Sequence, residues 1–250
     1  MDFVGAGTAL NVLTVVAGAL AGMAVGNRLP ERTRVVVTDC LGLVTLLMAA
    51  LSAFEVLSPE LSGLVGTSAP TLIVLGSLLV GSIIGSLLGI EHHLGSLAGR
   101  VHARMGRGGD DHAARERFVE GWLTATLLFC VGPLTILGTL DDGLGRGIDK
   151  LALKSVLDGF AALAFASTFG LGVLFSALSV AVVQGGLTIV GAALGTVLPA
   201  AHVAALTATG GLILVGIALR LLRIREIPVG DMLPSLVVAP LLTQLVAVLG

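Results

Sequence analysis

Residues 22–49, GMAVGNRLPERTRVVVTDCLGLVTLLMA, and residues 191–218, GAALGTVLPAAHVAALTATGGLILVGIA, agree at nine positions, each pair 169 residues apart: Gly22, Ala24, Gly26, Leu29, Pro30, Thr38, Gly42, Leu43 and Ala49 against Gly191, Ala193, Gly195, Leu198, Pro199, Thr207, Gly211, Leu212 and Ala218. Self-similarity at one fixed spacing marks an internal repeat. Each copy is a pair of apolar segments joined at a Leu-Pro turn. The first turn carries Arg28, Arg32 and Arg34, whereas the second, from Ala200 to Val203, carries no Lys or Arg. Cytoplasmic loops collect basic residues, so the copies are expected to cross a membrane in opposite senses, as inverted repeats do in secondary transporters.

Composition points to the same solvent. Of 250 residues, 55% are hydrophobic and 12% charged, with a mean hydropathy of +1.03. Soluble domains carry about 25% charged residues, so this surface is expected to be solvated by a lipid bilayer. The net charge of -2 gives no sign of nucleic acid as a partner, since the basic residues fall into short clusters between apolar runs rather than along one face. The amino-terminal run lacks a basic leader and continues too far for a cleaved signal peptide, so it reads as the first span. Cys40 and Cys130 lie inside apolar runs, behave there as small hydrophobes and make no disulfide framework.

At about 20 residues per crossing, eight helices are predicted, near Val4 to Gly26, Val35 to Leu57, Thr71 to Ile90, Val119 to Leu140, Leu151 to Gly170, Val173 to Val197, Val203 to Leu222 and Met232 to Leu249. The long apolar region after Leu151 is broken at Gly170-Leu171-Gly172. Backbone groups find no water in hydrocarbon, and the apolar runs lack strict alternation, so the expected fold is an all-α polytopic membrane protein rather than a barrel. It is read as a single transmembrane domain over 1–250: repeat A helices 4–90, a cytoplasmic connector 91–118, a central helix pair 119–170 and repeat B helices 173–249. With both termini outside, Arg28, Arg32, Arg34, Arg100, Arg104, Arg107, Arg115, Arg117, Arg220, Arg223 and Arg225 face the cytoplasm, leaving Arg146, Lys150 and Lys154 outside. In the connector, Leu94, Leu97, Val101 and Met105 share one face of a helix that would lie on the inner leaflet. Gly106 to Gly109 then forms a joint, and Asp110 or Asp111 could cap the next helix. A plain solvated connector is the alternative.

Ionisable residues at membrane depth cost at least ~2.5 kcal/mol on insertion scales and each requires a reason. Asp158 is the deepest acid, with Lys154 one turn earlier on the same face. Either Lys154 snorkels outward and neutralises Asp158 as a structural staple, or Asp158 is a proton or cation site. Glu120-Gly121-Trp122 echoes Asp158-Gly159-Phe160, and Gly132 echoes Gly170, at a spacing of 38. Glu120, nearer the interface, is a second candidate or a hydrated boundary residue. Pro133 after Gly132 interrupts its helix beside Thr126, Cys130 and Thr135, freeing carbonyls for a site or merely kinking the span. Asn11, Ser176, Ser179 and Gln184 could line a cavity or hydrogen-bond between helices. Gly22/Gly26, Gly191/Gly195 and Gly81/Gly85/Gly89 have the spacing of packing seams.

His92, His93, His102 and His112 lack metal-ligand spacing. Phosphate-loop, GxSxG and HExxH motifs are absent, so neither metal, cofactor nor enzymatic activity is expected.

The order FVEGWLTATLLFCVGPLTILGTLDDGL (118–144), KSVLDGFAALAFASTFGLGVLFSA (154–177) and GDMLPSLVVAPLL (230–242) resembles the YqgA/YdfK-type family of bacterial multi-spanning membrane proteins, a domain of unknown function. The resemblance covers nearly the whole chain. It implies an integral protein of the bacterial inner (plasma) membrane and no particular substrate. It also implies that Asn11, Glu120, Gly121, Cys130, Gly132, Pro133, Asp142, Gly143, Lys154, Ser155, Asp158, Gly159 and Ser167 are the motif positions, with departures expected at 91–117. The leading expectation is a small secondary transporter whose repeats rock about a midplane site lined by spans one, four, five and six. A channel, or a scaffold acting through the basic connector, is the alternative, and a homo-oligomer is compatible with any of these.

Overall fold

The computed structural model describes residues 3–26, 30–94, 96, 100, 112–130, 133–194 and 199–249. Arg28, Leu29, Leu97, Val101, His102, Arg104, Met105, the joint from Gly106 to Gly109, Asp110, Asp111, Gly132, Gly195 and Leu198 therefore lie outside the described residues. Among those described there is no strand, and the chain is an all-α polytopic membrane protein. Its helices are α1 (Ala6–Gly26), α2 (Glu31–Ala53), a 3-10 turn (Phe54–Leu57), α3 (Pro59–Val65), α4 (Ala69–Leu88), α5 (His112–Cys130), α6 (Pro133–Gly143), α7 (Asp149–Phe169), α8 (Leu171–Leu194), α9 (Ala200–Leu221) and α10 (Ser235–Leu249).

Among the described residues, six spans are long and apolar enough to cross a bilayer, or seven if α5 and α6 count as one. That differs from the predicted eight in two places. The fourth predicted span is two helices inclined by 61°, the second opening at Pro133, whose ring cannot continue the preceding hydrogen-bond ladder. The eighth begins at Ser235 rather than Met232, because a series of i to i+3 turns from Pro228 to Val237 takes up the chain before it. Its 15 residues reach about 22 Å, short of a ~30 Å hydrocarbon core. Helix α3 was not anticipated. Ser58 starts it, its Oγ accepting from the Leu61 N–H, with Pro59 at the first helical position. Between α7 and α8 the chain turns at Gly170, with φ +61°, inside the tripeptide where the sequence reading broke the run.

Contacts divide the chain into two compact units, Met1–Leu41 with Gly95–Val197 and Gly42–Leu94 with Leu198–Gly250. In the first, α1 and α7 run parallel at backbone contact. A Cβ on Gly18, Gly22 or Gly26 would meet the carbonyl oxygen of Gly159, Leu163 or Ser167 respectively, so both helices advance four residues per contact. Helices α5 and α8 are also parallel. Gly172 lies on the backbone of Phe118 and Trp122, and one turn on Trp122 Nε1 donates to Ser179 Oγ at 2.9 Å. Helices α1 and α8 oppose each other, since Thr8 meets Thr188 and Asn11 meets Gln184.

The second unit is built on the same device. Helix α9, buried along most of its length, runs antiparallel to α2, with Gly42 against Leu222 and Gly211 against Ala49 and Ala53. Helix α4 runs antiparallel to α10 and the turn before it, with Gly76 on Leu242, Gly81 on Ser235 and Gly85 on Asp231. Leu61, Ile73, Ala201, Ala204, Ala205 and Ala239 fill its core. Small residues replace the hydrophobic effect as the driving term here, because lipid tails are as apolar as leucine and only close packing distinguishes a helix partner from solvent.

Candidate functional site

The α1–α7 glycine seam brings one polar face of each helix together. On α7, Lys154 and Asp158 are separated by one turn, and Nζ lies 2.9 Å from Oδ1 and 2.7 Å from Oδ2 of the carboxylate. Each residue is 6% exposed. Lysine does not snorkel outward. It turns in, because the buried carboxylate without a cation would forfeit several kcal/mol of solvation.

From α1, Asn11 Nδ2 donates to Asp158 Oδ2 at 2.9 Å and to Gln184 Oε1 of α8 at 3.2 Å. A carboxylate only accepts, so Asp158 sets the Asn11 amide with nitrogen inward, and Asn11 in turn requires oxygen from Gln184. This chain of choices leaves Asn11 Oδ1 and Gln184 Nε2 without a hydrogen-bond partner among the described residues, although both side chains are fully buried. Such orphans cost about 1–3 kcal/mol each and call for an explanation. One turn away, the Thr8 and Thr188 hydroxyls share a 3.0 Å hydrogen bond. Cys130, at the end of α5, is close enough to Lys154 and Asp158 to feel both charges, and the buried Thr126 Oγ1 of the same helix also lacks a partner among the described residues.

The structure thus joins Asn11, Lys154, Asp158 and Gln184 directly, with Cys130 nearby. It does not bring the remaining candidates into their hydrogen-bond network. Ser155 Oγ donates to Leu151 O and Ser167 Oγ to Ala164 O, both within their own helix. Glu120 is half-buried ten residues before Cys130, about 15 Å along α5, and has interactions of its own. Pro133 starts α6. Ser176 likewise bonds back to Val173 O.

Two arrangements escaped the residue-by-residue reading. Asp142, 2% exposed at the end of α6, accepts hydrogen bonds from the backbone N–H of Gly5 at 3.0 Å, Gly7 at 3.1 Å and Thr8 at 3.2 Å. It caps the amino end of α1 across more than 130 residues of sequence, so no local capping signature exists, and only the family pattern pointed to it. In the second unit, Glu91 is not the start of a solvated connector. Its Oε1 accepts from Arg220 Nη1 at 2.9 Å, its Oε2 from the Gly230 N–H at 2.6 Å, and its own N–H donates to Asp231 Oδ1 at 2.8 Å. Lys150, which ran against the charge rule for loops, pairs with Asp141. Among the described residues no cluster of His, Cys, Asp and Glu could hold a metal.

Comparison with known proteins matches this sequence to a family of unknown function. The chain is 28% identical to "Uncharacterized protein YqgA" of Escherichia coli (strain K12) over 236 residues, 93% of this chain and 94% of that protein. It is 23% identical to "Uncharacterized membrane protein YdfK" of Bacillus subtilis (strain 168) over 244 residues, 98% of each. No solved structure matches significantly. The family profile described as "Protein of unknown function (DUF554)" covers residues 6–244, almost every helix just described, and the chain belongs to that family.

Proposed function

We propose that this protein is a small secondary transporter of the bacterial inner membrane, with its solute and coupling site in the polar cluster of the first unit and Asp158 binding the coupling proton or cation. One observation carries the reading: an ion pair and two amides, withdrawn into an apolar bundle, retain two polar atoms without a partner among the described residues. A structural staple needs none of this, since apolar residues of similar volume commonly stabilise as well as a buried pair does. Support for an inverted repeat comes from direction. The helices equated by the repeat, α1 with α8, α2 with α9 and α4 with α10, run antiparallel wherever they touch. Spans one, four, five and six correspond to α1, α5 with α6, α7 and α8, all in the unit that holds the cluster. Glu120, on α5 of the same unit, is the second candidate carboxylate, and catalysis forms no part of the reading.

Both termini face outward in this proposal, and reporter fusions at Thr33 and Ala200 are expected to report opposite compartments; the same compartment for both would remove the inversion. The decisive experiment is uptake from metabolite mixtures into proteoliposomes, comparing wild type with Asp158→Asn. Saturable uptake reduced at least about tenfold in the variant is expected, and equal uptake would end the role of Asp158. A current that persists without saturation under a fixed gradient would identify a channel instead. A cellular phenotype lost on replacing Arg100, Arg104 and Arg107 but kept in Asp158→Asn would identify a scaffold.

A further inference from the structure

Helix α9 ends in a conformation that its sequence does not favour. Past Leu221 the chain reverses through two backbone hydrogen bonds, from Arg223 N–H to Arg220 O and from Ile224 N–H to Leu219 O, each 2.9 Å, with Arg223 at φ +54°. That left-handed position just past a helix is ordinarily taken by glycine, because a Cβ there crowds the backbone. Among the described residues Arg223 is the only non-glycine residue with positive φ.

Packing does not hold the arginine there. Arg223, Ile224, Arg225 and Glu226 are all exposed. In a helix end of this type the residue after the left-handed one ordinarily packs back on the last turn, yet Ile224 remains 67% exposed. Nor does a partner within the chain use the charge. Glu91 takes Arg220, which also donates to Ile227 O. Among the described residues, Arg223 and Arg225 make no ion pair and no side-chain hydrogen bond, not even with the adjacent Glu226.

Position along the chain selects the ligand. The span Ala200–Leu221 is long and apolar enough to cross a bilayer, so Arg223 and Arg225, two and four residues past its end, stand at headgroup depth. Ile224 lies between them, at the edge of the hydrocarbon. A guanidinium fork matches two phosphate oxygens, and basic residues beside a span attract anionic lipid.

We propose that Arg223 and Arg225 bind the phosphodiester of an anionic phospholipid, with Ile224 against its acyl chains, and that arginine occupies the left-handed position for the charge it supplies there. The site lies outside the polar cluster of the first unit and does not depend on the transport reading.

The test uses the full chain in detergent, titrated with phosphatidylglycerol or with phosphatidylcholine of the same acyl chains. Thermal unfolding and the lipid retained in native mass spectrometry are read together. Phosphatidylglycerol is expected to raise the Tm of wild type by about 2–4 °C over phosphatidylcholine. Arg223→Gly should lose most of that rise and hold the lipid at least about tenfold more weakly. Without added lipid the same variant should unfold at or above the wild-type Tm, since glycine relieves the backbone. A purely structural arginine, acting on the helix dipole, predicts the opposite: a lower Tm with or without lipid. Arg225→Ala should also lose the rise, and Arg146→Ala, at an exposed arginine elsewhere, should keep it. An equal rise with both lipids, Arg223→Gly with the full rise or with a lower Tm in the absence of lipid, or Arg146→Ala as impaired as Arg223→Gly would each overturn the proposal. Inorganic phosphate that reproduced the rise without lipid would assign the site to a soluble anion and overturn the lipid.

Discussion

Replacing Gly22 by leucine is expected to prevent the first unit from assembling, so that the purified variant elutes as aggregate in detergent where wild type is monodisperse. The reason is what the new side chain would meet. A Cβ on Gly22 runs into the carbonyl oxygen of Leu163 and lies 3.0 Å from Ala166 Cβ, and neither is the movable tip of a flexible side chain. The helices would have to separate along the whole seam, since Gly18 and Gly26 make the same contact one turn to each side. Ordinary overpacking costs about 1–3 kcal/mol. Here the loss is larger, because separation also withdraws Asn11 from Asp158 and breaks the alignment that buries the ion pair. Gly22→Ala already introduces the offending carbon and should lower the Tm clearly. Gly185→Ala and Gly186→Ala are the controls. Nothing lies within 4 Å of a Cβ at either position, and alanine there should be neutral or stabilising by up to about 1 kcal/mol. A Gly22→Leu protein as stable as wild type would show that α1 and α7 are not in backbone contact.

The second large effect is expected at the ion pair. Asp158→Ala leaves the Lys154 ammonium buried without a counter-ion, and Lys154→Ala does the same to the carboxylate; either change should destabilise by about 3–5 kcal/mol. The double variant Lys154→Met/Asp158→Leu removes both charges and restores volume. Most of the stability should return, less about 1 kcal/mol because Asn11 Nδ2 loses one of its two acceptors and keeps Gln184 Oε1. Uptake should not return. A double-mutant cycle on thermal unfolding, run beside the liposome assay, separates the two roles. If the double variant folded and transported normally, the pair would be dispensable for transport. If each single variant were already as stable as wild type, the pair would not be buried as the geometry has it.

Much of the architecture could be read before any coordinate. Long apolar runs can only be helices in lipid, so α1, α4, α7, α8 and α9 follow from composition and length. The break could be placed at Gly170-Leu171-Gly172 because a reversal between two helices favours a residue free to take positive φ, and the structure assigns that role to Gly170. The predicted spans depart from the observed helices where local turn chemistry competes with hydropathy. Pro133 splits one apolar run, the Pro228–Ser235 turns shorten another, and a window average registers neither. Lys154 and Asp158 were legible as neighbours because they lie one turn apart on one helix, a spacing that local geometry decides.

Sequence by itself determined that this chain lives in a membrane, that it is helical, that nine of its residues recur at a spacing of 169, and that Asp158 is an acid in need of a reason. Each of these depends on solvent, on backbone hydrogen bonding, or on residues within a turn of one another. Only the tertiary structure decided which polar groups meet. Asn11 reaches Asp158 across 147 positions and Gln184 across 173, and Asp142 caps a helix more than 130 residues away. Those partners are chosen by the glycine seams that set helix register, and register between distant segments is a property of packing in three dimensions that no single segment encodes.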